Sequence, residues 1–228
     1  MLNSPADLIN MSDDELIDIA NGKLNYRNSA RSTITRDDII REAKIILQKR
    51  TMKSQLPAQP TAEKEKEQKF GILYSLGQAT TDFALYSSGL GTDGCVGVLF
   101  LDIDNFKPLN TRFTESIVDQ EVLIPFQQLL SNICLYRGDA YRHGGEEFLV
   151  LLPNHTPEEV TQFAERLRRK IETEEFFVGQ IPVRITVSIG IAFWPKHGGP
   201  LIDLIAKANR AEHEAKAKGK NRIEVCEE

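Results

Sequence analysis

Residues 139–152 read DAYRHGGEEFLVLL: two short β-prone runs, Asp139–His143 and Glu147–Leu152, broken by Gly144-Gly145. A glycine turn between such runs predicts an antiparallel hairpin, and its glycines permit positive φ and close approach of a phosphate or another backbone. Upstream, Val96–Asp102 (VGVLFLD) is a continuous apolar run that ends in carboxylates, as a buried strand would. A polar turn and a helix from about Gln120 to Cys134 are expected between them. Downstream, Pro157–Glu174 places Val160, Phe163, Ala164, Leu167 and Ile171 on one helical face. Strands at Val183–Val187 and Gly190–Trp194, a helix over Leu201–Lys218 and a last strand near Arg222–Cys226 complete the pattern. Helices interleaved with strands around a tight hairpin predict an α+β fold, a mainly antiparallel central sheet covered by helices.

Further towards the N-terminus the pattern is helical. Ser12-Asp13-Asp14-Glu15 has the form of a capping box and precedes Leu16, Ile17 and Ile19. A second amphipathic run, Asp37–Leu47, follows Thr35 and is expected to end near Arg50. Residues 51–62 contain two prolines and read as a linker. The alternating charges of Glu63–Lys69 lead into Phe70, Leu73, Leu76 and Phe83, which predicts a helix with a solvated start and a buried end. The expected organisation is therefore a helical segment with linker over 1–62, a connecting helix over 63–94, and the α+β domain over 95–228.

The chain has 228 residues, 28 Lys+Arg against 33 Asp+Glu, and a 41 % hydrophobic share, enough for a packed core. Its net charge of −5 argues against a protein that coats DNA, which needs a cationic surface, but leaves small phosphorylated ligands open. The sign inverts locally: residues 196–222 carry seven basic and three acidic side chains. Cys95, Cys134 and Cys226 are too few and too scattered for a disulfide framework, which fits a reducing, cytoplasmic setting. The first twenty residues have no basic, apolar leader pattern, and no window approaches the roughly 20 apolar residues of a spanning helix. No export signal and no membrane segment are expected.

Asp102-Ile103-Asp104 puts two carboxylates at i and i+2, on one side of a strand end, which means either a solvated terminus or a metal site. Glu146-Glu147 supplies a second acidic pair at the hairpin, itself either a solvated tip or part of a site. Together Asp102 and Glu146 would form an oxygen donor set suited to Mg²⁺ holding nucleotide phosphates. His143, His155 and His197 have no partner at zinc-ligand spacing, Phe193 and Trp194 read as core or rim, and no hydrolase triad is evident.

The ordered segments LDIDNFKPLN, RHGGEEFLVLLP, ITVSIGIAFWP and AKANRAEHEAKAKGKNR, over roughly 95–226, resemble the GGDEF family of nucleotide cyclases, the diguanylate cyclases. The signature Gly-Gly-(Asp/Glu)-Glu-Phe stands here as Gly144-Gly145-Glu146-Glu147-Phe148. The resemblance implies two divalent ions, Mg²⁺ or Mn²⁺, on Asp102, Glu146 and the Ile103 carbonyl, with Glu147 as second signature acid and Asp104 as second strand-end acid. It places Asn105, Phe106 and Lys107 on a turn that holds triphosphate, and Asn110 and Asp119 on the guanine edge. An amide and a carboxylate can together satisfy guanine's O6 acceptor and its N1 and N2 donors. Lys216 and Lys220 match two basic phosphate contacts. One GTP per domain implies that a homodimer, with two sites apposed, makes cyclic di-GMP and releases pyrophosphate.

Some positions depart from the family. Between Asn110 and Asp119, Thr111, Thr114, Glu115 and Val118 stand where the family has Asp, Gly, His and Gly, which alters backbone freedom around the base. The family's Asp-x-Leu-Thr-Gly-Leu-x-Asn-Arg motif is absent, its equivalent near FALYSSGLGTDG keeping little of it. Asn209, Glu212 and His213 replace Asp, Leu or Met, and Tyr. Leu135 and Gly138 occupy the positions of the inhibitory Arg-x-x-Asp motif, so product inhibition by that route is not expected. Two alternatives stand beside cyclic di-GMP synthesis: a cyclase with a different cyclic nucleotide product, and a noncatalytic GTP-binding or partner-binding module. Residues 1–62 match no sensor type and read as a segment for dimerisation or for docking to an unknown protein partner. Their deletion is expected to alter turnover through dimer assembly; sedimentation and turnover that both stay unchanged would refute this.

Overall fold

The structure is a computed structural model and describes residues 12–21 and 63–227, apart from 91–93 and 136, together with residues 8, 39, 40, 43, 44 and 47. The chain divides into two compact units, Met1–Ala62 and Glu63–Glu228. In the first, helix α1 (Asp13–Ala20) starts from the expected capping box: the Ser12 hydroxyl accepts from the Glu15 amide at 3.3 Å, and the Glu15 carboxylate accepts from the Ser12 amide at 2.8 Å. Leu16 and Ile19 are buried. Residues 39, 40, 43, 44 and 47 are helical; the expected helix end near Arg50 and the linker lie outside the described residues.

The second unit runs in chain order through α2 (Leu76–Ser88), β1 (Cys95–Ile103), α3 (Phe106–Phe113) and α4 (Glu115–Val118), which continues through a π-helical turn (Asp119–Leu123) into α5 (Ile124–Cys134). Strands β2 (Asp139–Arg142) and β3 (Glu147–His155), helix α6 (Pro157–Thr173) and a small hairpin of β4 (Phe176–Val178) and β5 (Ile181–Val183) follow. Strand β6 (Val187–Trp194), helix α7 (Leu201–Ala217) and strand β7 (Ile223–Val225) complete it. The main sheet has the order β2-β3-β1-β6-β7, antiparallel except for the β6–β7 pair. This is the expected helix-covered, mainly antiparallel α+β sheet.

Alternation along β1 divides the core into two layers. Leu99, Leu101 and Ile103 join Phe126 and Leu130 of α5 and Val160 and Leu167 of α6. Val96, Val98 and Phe100 join Phe83 of α2 and Leu204 and Ala208 of α7. Asp102 continues the second parity and therefore points to the α7 side. Helix α7 rests directly on β6 at Gly190, where an added Cβ would stand 1.9 Å from the Ala208 carbonyl oxygen and 2.4 Å from the Glu212 amide. That backbone contact lays the last turns of α7 close to the sheet.

Three expectations are corrected. The helix foreseen from Glu63 begins only at Leu76, because the Glu67 carboxylate accepts from the amides of Lys69, Phe70 and Gly71 at 2.8, 2.6 and 2.9 Å and so folds 67–71 into a turn, with Gly71 at φ 65°. Ser75 then caps α2 by accepting from the Gln78 amide at 3.1 Å. Lys64 ties this segment to the sheet by ion pairs of 2.9 Å to both Asp82 and Asp139. The polar turn foreseen after Asp102 is largely helical, as α3 and α4. The strand foreseen at Val183–Val187 is split: Val183 closes the small hairpin, and Val187 opens an unbroken β6.

Gly190→Ala is expected to destabilise the second unit by about 3 kcal/mol, because the methyl group meets backbone that cannot move without lifting α7. Urea unfolding followed by circular dichroism measures this.

Candidate active site at the end of the first strand

Three elements converge where β1 ends. Asp102 lies opposite Glu147 of β3 on one side and Ser188 of β6 on the other. The Ile103 amide donates to the Glu146 carbonyl at 3.3 Å, which holds the hairpin tip beside the strand end. From α7, the Lys216 ammonium reaches Asp102 at 2.9 Å and Glu212, one helical turn back, at 3.0 Å. Burial pushes the Asp102 carboxyl up to about 6 against the pull of Lys216, and the charges of Glu212 and Glu146 add to the rise. Burial likewise raises Glu212. Burial would lower Lys216, but its hydrogen bonds to the two carboxylates outweigh that and raise it.

The second strand-end acid has a different role. Asp104 is buried and accepts from the hydroxyls of Thr186 and Ser188, each at 2.7 Å, and from the Asn221 amide at 3.0 Å. It fastens the end of β1 to β6 and to the segment after α7. The pair expected on one side of the strand thus separates into Asp102, facing a lysine, and Asp104, saturated by neutral donors.

The turn after β1 is short. Asn105 takes the left-handed conformation, φ 58°, and α3 begins at Phe106 without a side-chain cap. Lys107 is exposed in its first turn, close in sequence to the amides that a helix start leaves without intrahelical partners. Lys220 follows Gly219 in a left-handed conformation of its own, φ 65°, and its ammonium donates to the Asn105 side-chain oxygen. The helix ends before Lys220, so the two lysines of the C-terminal motif reach the site differently: Lys216 onto Asp102, Lys220 onto Asn105.

The signature hairpin corrects one expectation. Neither Gly144 nor Gly145 takes positive φ, which among the described glycines is found at 71, 179, 198, 199 and 219. An added Cβ at Gly144 would stand 3.0 Å from a Glu147 carboxylate oxygen, while at Gly145 it would meet open space. The turn is braced instead by Arg142, whose guanidinium donates to the carbonyls of Gly144 at 3.2 Å and Gly145 at 3.0 Å. Glu147 lies 3.3 Å from the His143 ring nitrogen.

Asn110 on α3 and Asp119 on the π turn flank Thr114, whose amide donates to the Asn110 carbonyl at 2.9 Å. Thr114 adopts φ 72°, ψ 147°, a region nearly reserved for glycine. The Asn110 side-chain oxygen is buried and has no hydrogen-bond partner, and Asp119 pairs with Lys69 at 2.5 Å. Glu212, Arg142 and Lys69 are the neighbours that sequence reasoning missed. The i, i+4 spacing of Glu212 and Lys216 was a usable signal; Lys69 and Arg142 reach their partners only through tertiary structure.

A family model described as "Diguanylate cyclase, GGDEF domain" matches residues 78–222. The chain belongs to the GGDEF family. It is 36 % identical over 131 residues to Diguanylate cyclase VdcA of Vibrio cholerae, which covers 56 % of this chain and 38 % of that protein. It is 33 % identical over 152 residues to Response regulator PleD of Caulobacter vibrioides, covering 66 % and 33 %. The chain thus spans between a third and two fifths of the length of these relatives. Its fold is similar to the crystal structure of the GGDEF domain of PA1120 (YfiN or TpbB) from Pseudomonas aeruginosa, with TM-score 0.63, 23 % identity, and coverage of 68 % and 98 %. Among the described residues, no helix is long and apolar enough to cross a membrane.

The strained Thr114 of this GGDEF domain generates a prediction. Thr114→Gly should stabilise the fold by about 1 kcal/mol, the relieved strain exceeding the entropy that glycine adds to the unfolded chain. A fall in the urea midpoint would contradict this.

Proposed function

We propose that the chain is a divalent-metal-dependent diguanylate cyclase that condenses two GTP molecules into cyclic di-GMP. The observation that carries this reading is the buried Asp102 carboxylate, pushed up to about 6, with a lysine ammonium 2.9 Å away. A nearby cation favours the ionised form of a buried carboxylate, and a metal ion can serve as well as Lys216 does. The donors Asp102, Glu146 and the Ile103 carbonyl are all hard oxygens, which fits Mg²⁺ or Mn²⁺. Among the described residues no three His, Cys, Asp or Glu side chains form a ready cage, so nucleotide phosphates and water would complete the coordination of two ions. When bound, such ions neutralise triphosphate charge and make a ribose 3′-hydroxyl more acidic.

The rest falls to the chain's own residues. The amides at Asn105–Lys107 and the ammonium groups of Lys107, Lys216 and Lys220 hold the β- and γ-phosphates and stabilise departing pyrophosphate. Gly145 leaves open space for a nucleotide against the hairpin. Glu147 stands in register with Asp102 and so would adjoin the metal-bound phosphates. Asn110, with its buried unpaired oxygen, and Asp119 read the guanine edge. In each of two steps a 3′-oxygen bonds to an α-phosphorus of the other nucleotide as the bond to pyrophosphate breaks. One domain presents one nucleotide, so two copies of the chain must face each other. None of Cys95, Cys134 and Cys226 is in a disulfide, which suits a cytoplasmic setting.

Purified chain incubated with GTP and Mg²⁺ should yield cyclic di-GMP, resolved by chromatography. Asp102→Asn and Glu146→Gln should each reduce turnover by about 100-fold or more. No product from any nucleoside triphosphate would overturn the enzyme reading, and a mixed cyclic product from GTP with ATP would favour the altered 111–118 segment as a changed base pocket.

A further inference from the structure

We propose that Lys69, outside the matched family segment, is a positioning residue for base recognition: it holds the Asp119 carboxylate in the orientation that reads guanine. The inference rests on the proposed role of Asp119. Its ground is a chain of contacts that begins at the signature hairpin. Arg142, which braces Gly144 and Gly145, also lies 3.6 Å from the Glu67 carboxylate and stacks over the Phe70 ring at 4.5 Å. Arg142 and Glu67 are both about nine-tenths buried at their side chains, 9 % and 10 % exposed. Glu67 in turn binds the amides of Lys69, Phe70 and Gly71 and so fixes the turn from which Lys69 projects. The Lys69 ammonium then meets Asp119 at 2.5 Å and Glu115 at 3.9 Å.

Lys69 need not leave for a base to bind. A carboxylate offers about four lone-pair sites on its two oxygens, so Asp119 can accept from one ammonium and still accept from guanine N1–H and N2–H. The lysine contributes in two ways. It fixes the Asp119 rotamer, and it offsets the charge of Glu115, which would otherwise repel a second carboxylate nearby. The side chain of Asp119 is only 13 % exposed, so its surroundings confine its orientation and the Lys69 contact acts on a carboxylate with little freedom to turn to solvent. The signature hairpin and the base side of the pocket are thereby joined through residues 67–71.

The test measures binding of 3′-deoxy-GTP and 3′-deoxy-ATP to the full chain with Mg²⁺ by calorimetry; neither nucleotide can condense, so the readout does not depend on turnover. Lys69→Met should weaken 3′-deoxy-GTP about fivefold, leave 3′-deoxy-ATP unchanged, and be restored by Lys69→Arg. Asp119→Asn, measured in parallel, should remove most of the preference for guanine. If Asp119→Asn removes that preference and Lys69→Met does not reduce it, the positioning role fails while the base-reading assignment stands. Equal weakening of both nucleotides by Lys69→Met also overturns the role, because a general loss of structure does not distinguish bases. Tighter guanine binding by Lys69→Met overturns it as well, since Lys69 would then compete with the base. If Asp119→Asn leaves the preference intact, the base-reading assignment fails and the inference fails with it.

Discussion

The site depends on one buried carboxylate placed against one lysine. Asp102 ends the central strand on the face that carries Phe100, so the alternation that packs β1 against α7 also delivers the carboxylate to that helix. Lys216 meets it because α7 lies directly on Gly190, and Asp104 keeps β1 from shifting by binding β6 and the segment after α7. Burial makes this carboxylate costly to ionise, and the lysine offsets only part of that cost. The position therefore favours any partner with a concentrated positive charge, which is the physical basis for reading it as a site for Mg²⁺ and nucleotide.

Glu212 sharpens that electrostatic balance. It is buried and shares Lys216 with Asp102. Two carboxylates on one ammonium leave net negative charge beside the hairpin acids. The local cationic segment at 196–222 is thus less cationic where it meets the site than its composition implies, since Lys216 is already engaged and Lys220 donates to Asn105.

Much of this was legible in the sequence because two periodicities dominate it. The continuous run VGVLFLD, the Gly-Gly hairpin and the amphipathic Pro157–Thr173 each impose a structure that tertiary contacts reinforce. Signature residues whose chemistry depends on strand parity, such as Asp102, could be placed for the same reason. Segments controlled by a single side chain were misread. The charge alternation of 63–69 looks helical, but Glu67 captures the amides that a helix would need. Asp104 is identical in type to Asp102 and differs only in what β6 and Asn221 bring to it. Thr114 holds a backbone conformation suited to glycine, so the turn carries strain that the residue type alone does not reveal.

The central claim is that Asp102 is a buried carboxylate, only partly offset by Lys216, that a metal ion would stabilise further. Its titration, followed through the side-chain carboxyl carbon by NMR, tests this most directly. In metal-free chain the midpoint should lie at about 6, and it should fall when Mg²⁺ and 3′-deoxy-GTP are added together. A midpoint at the ordinary 3.8 in metal-free chain, unmoved by Mg²⁺ and nucleotide, would contradict the account.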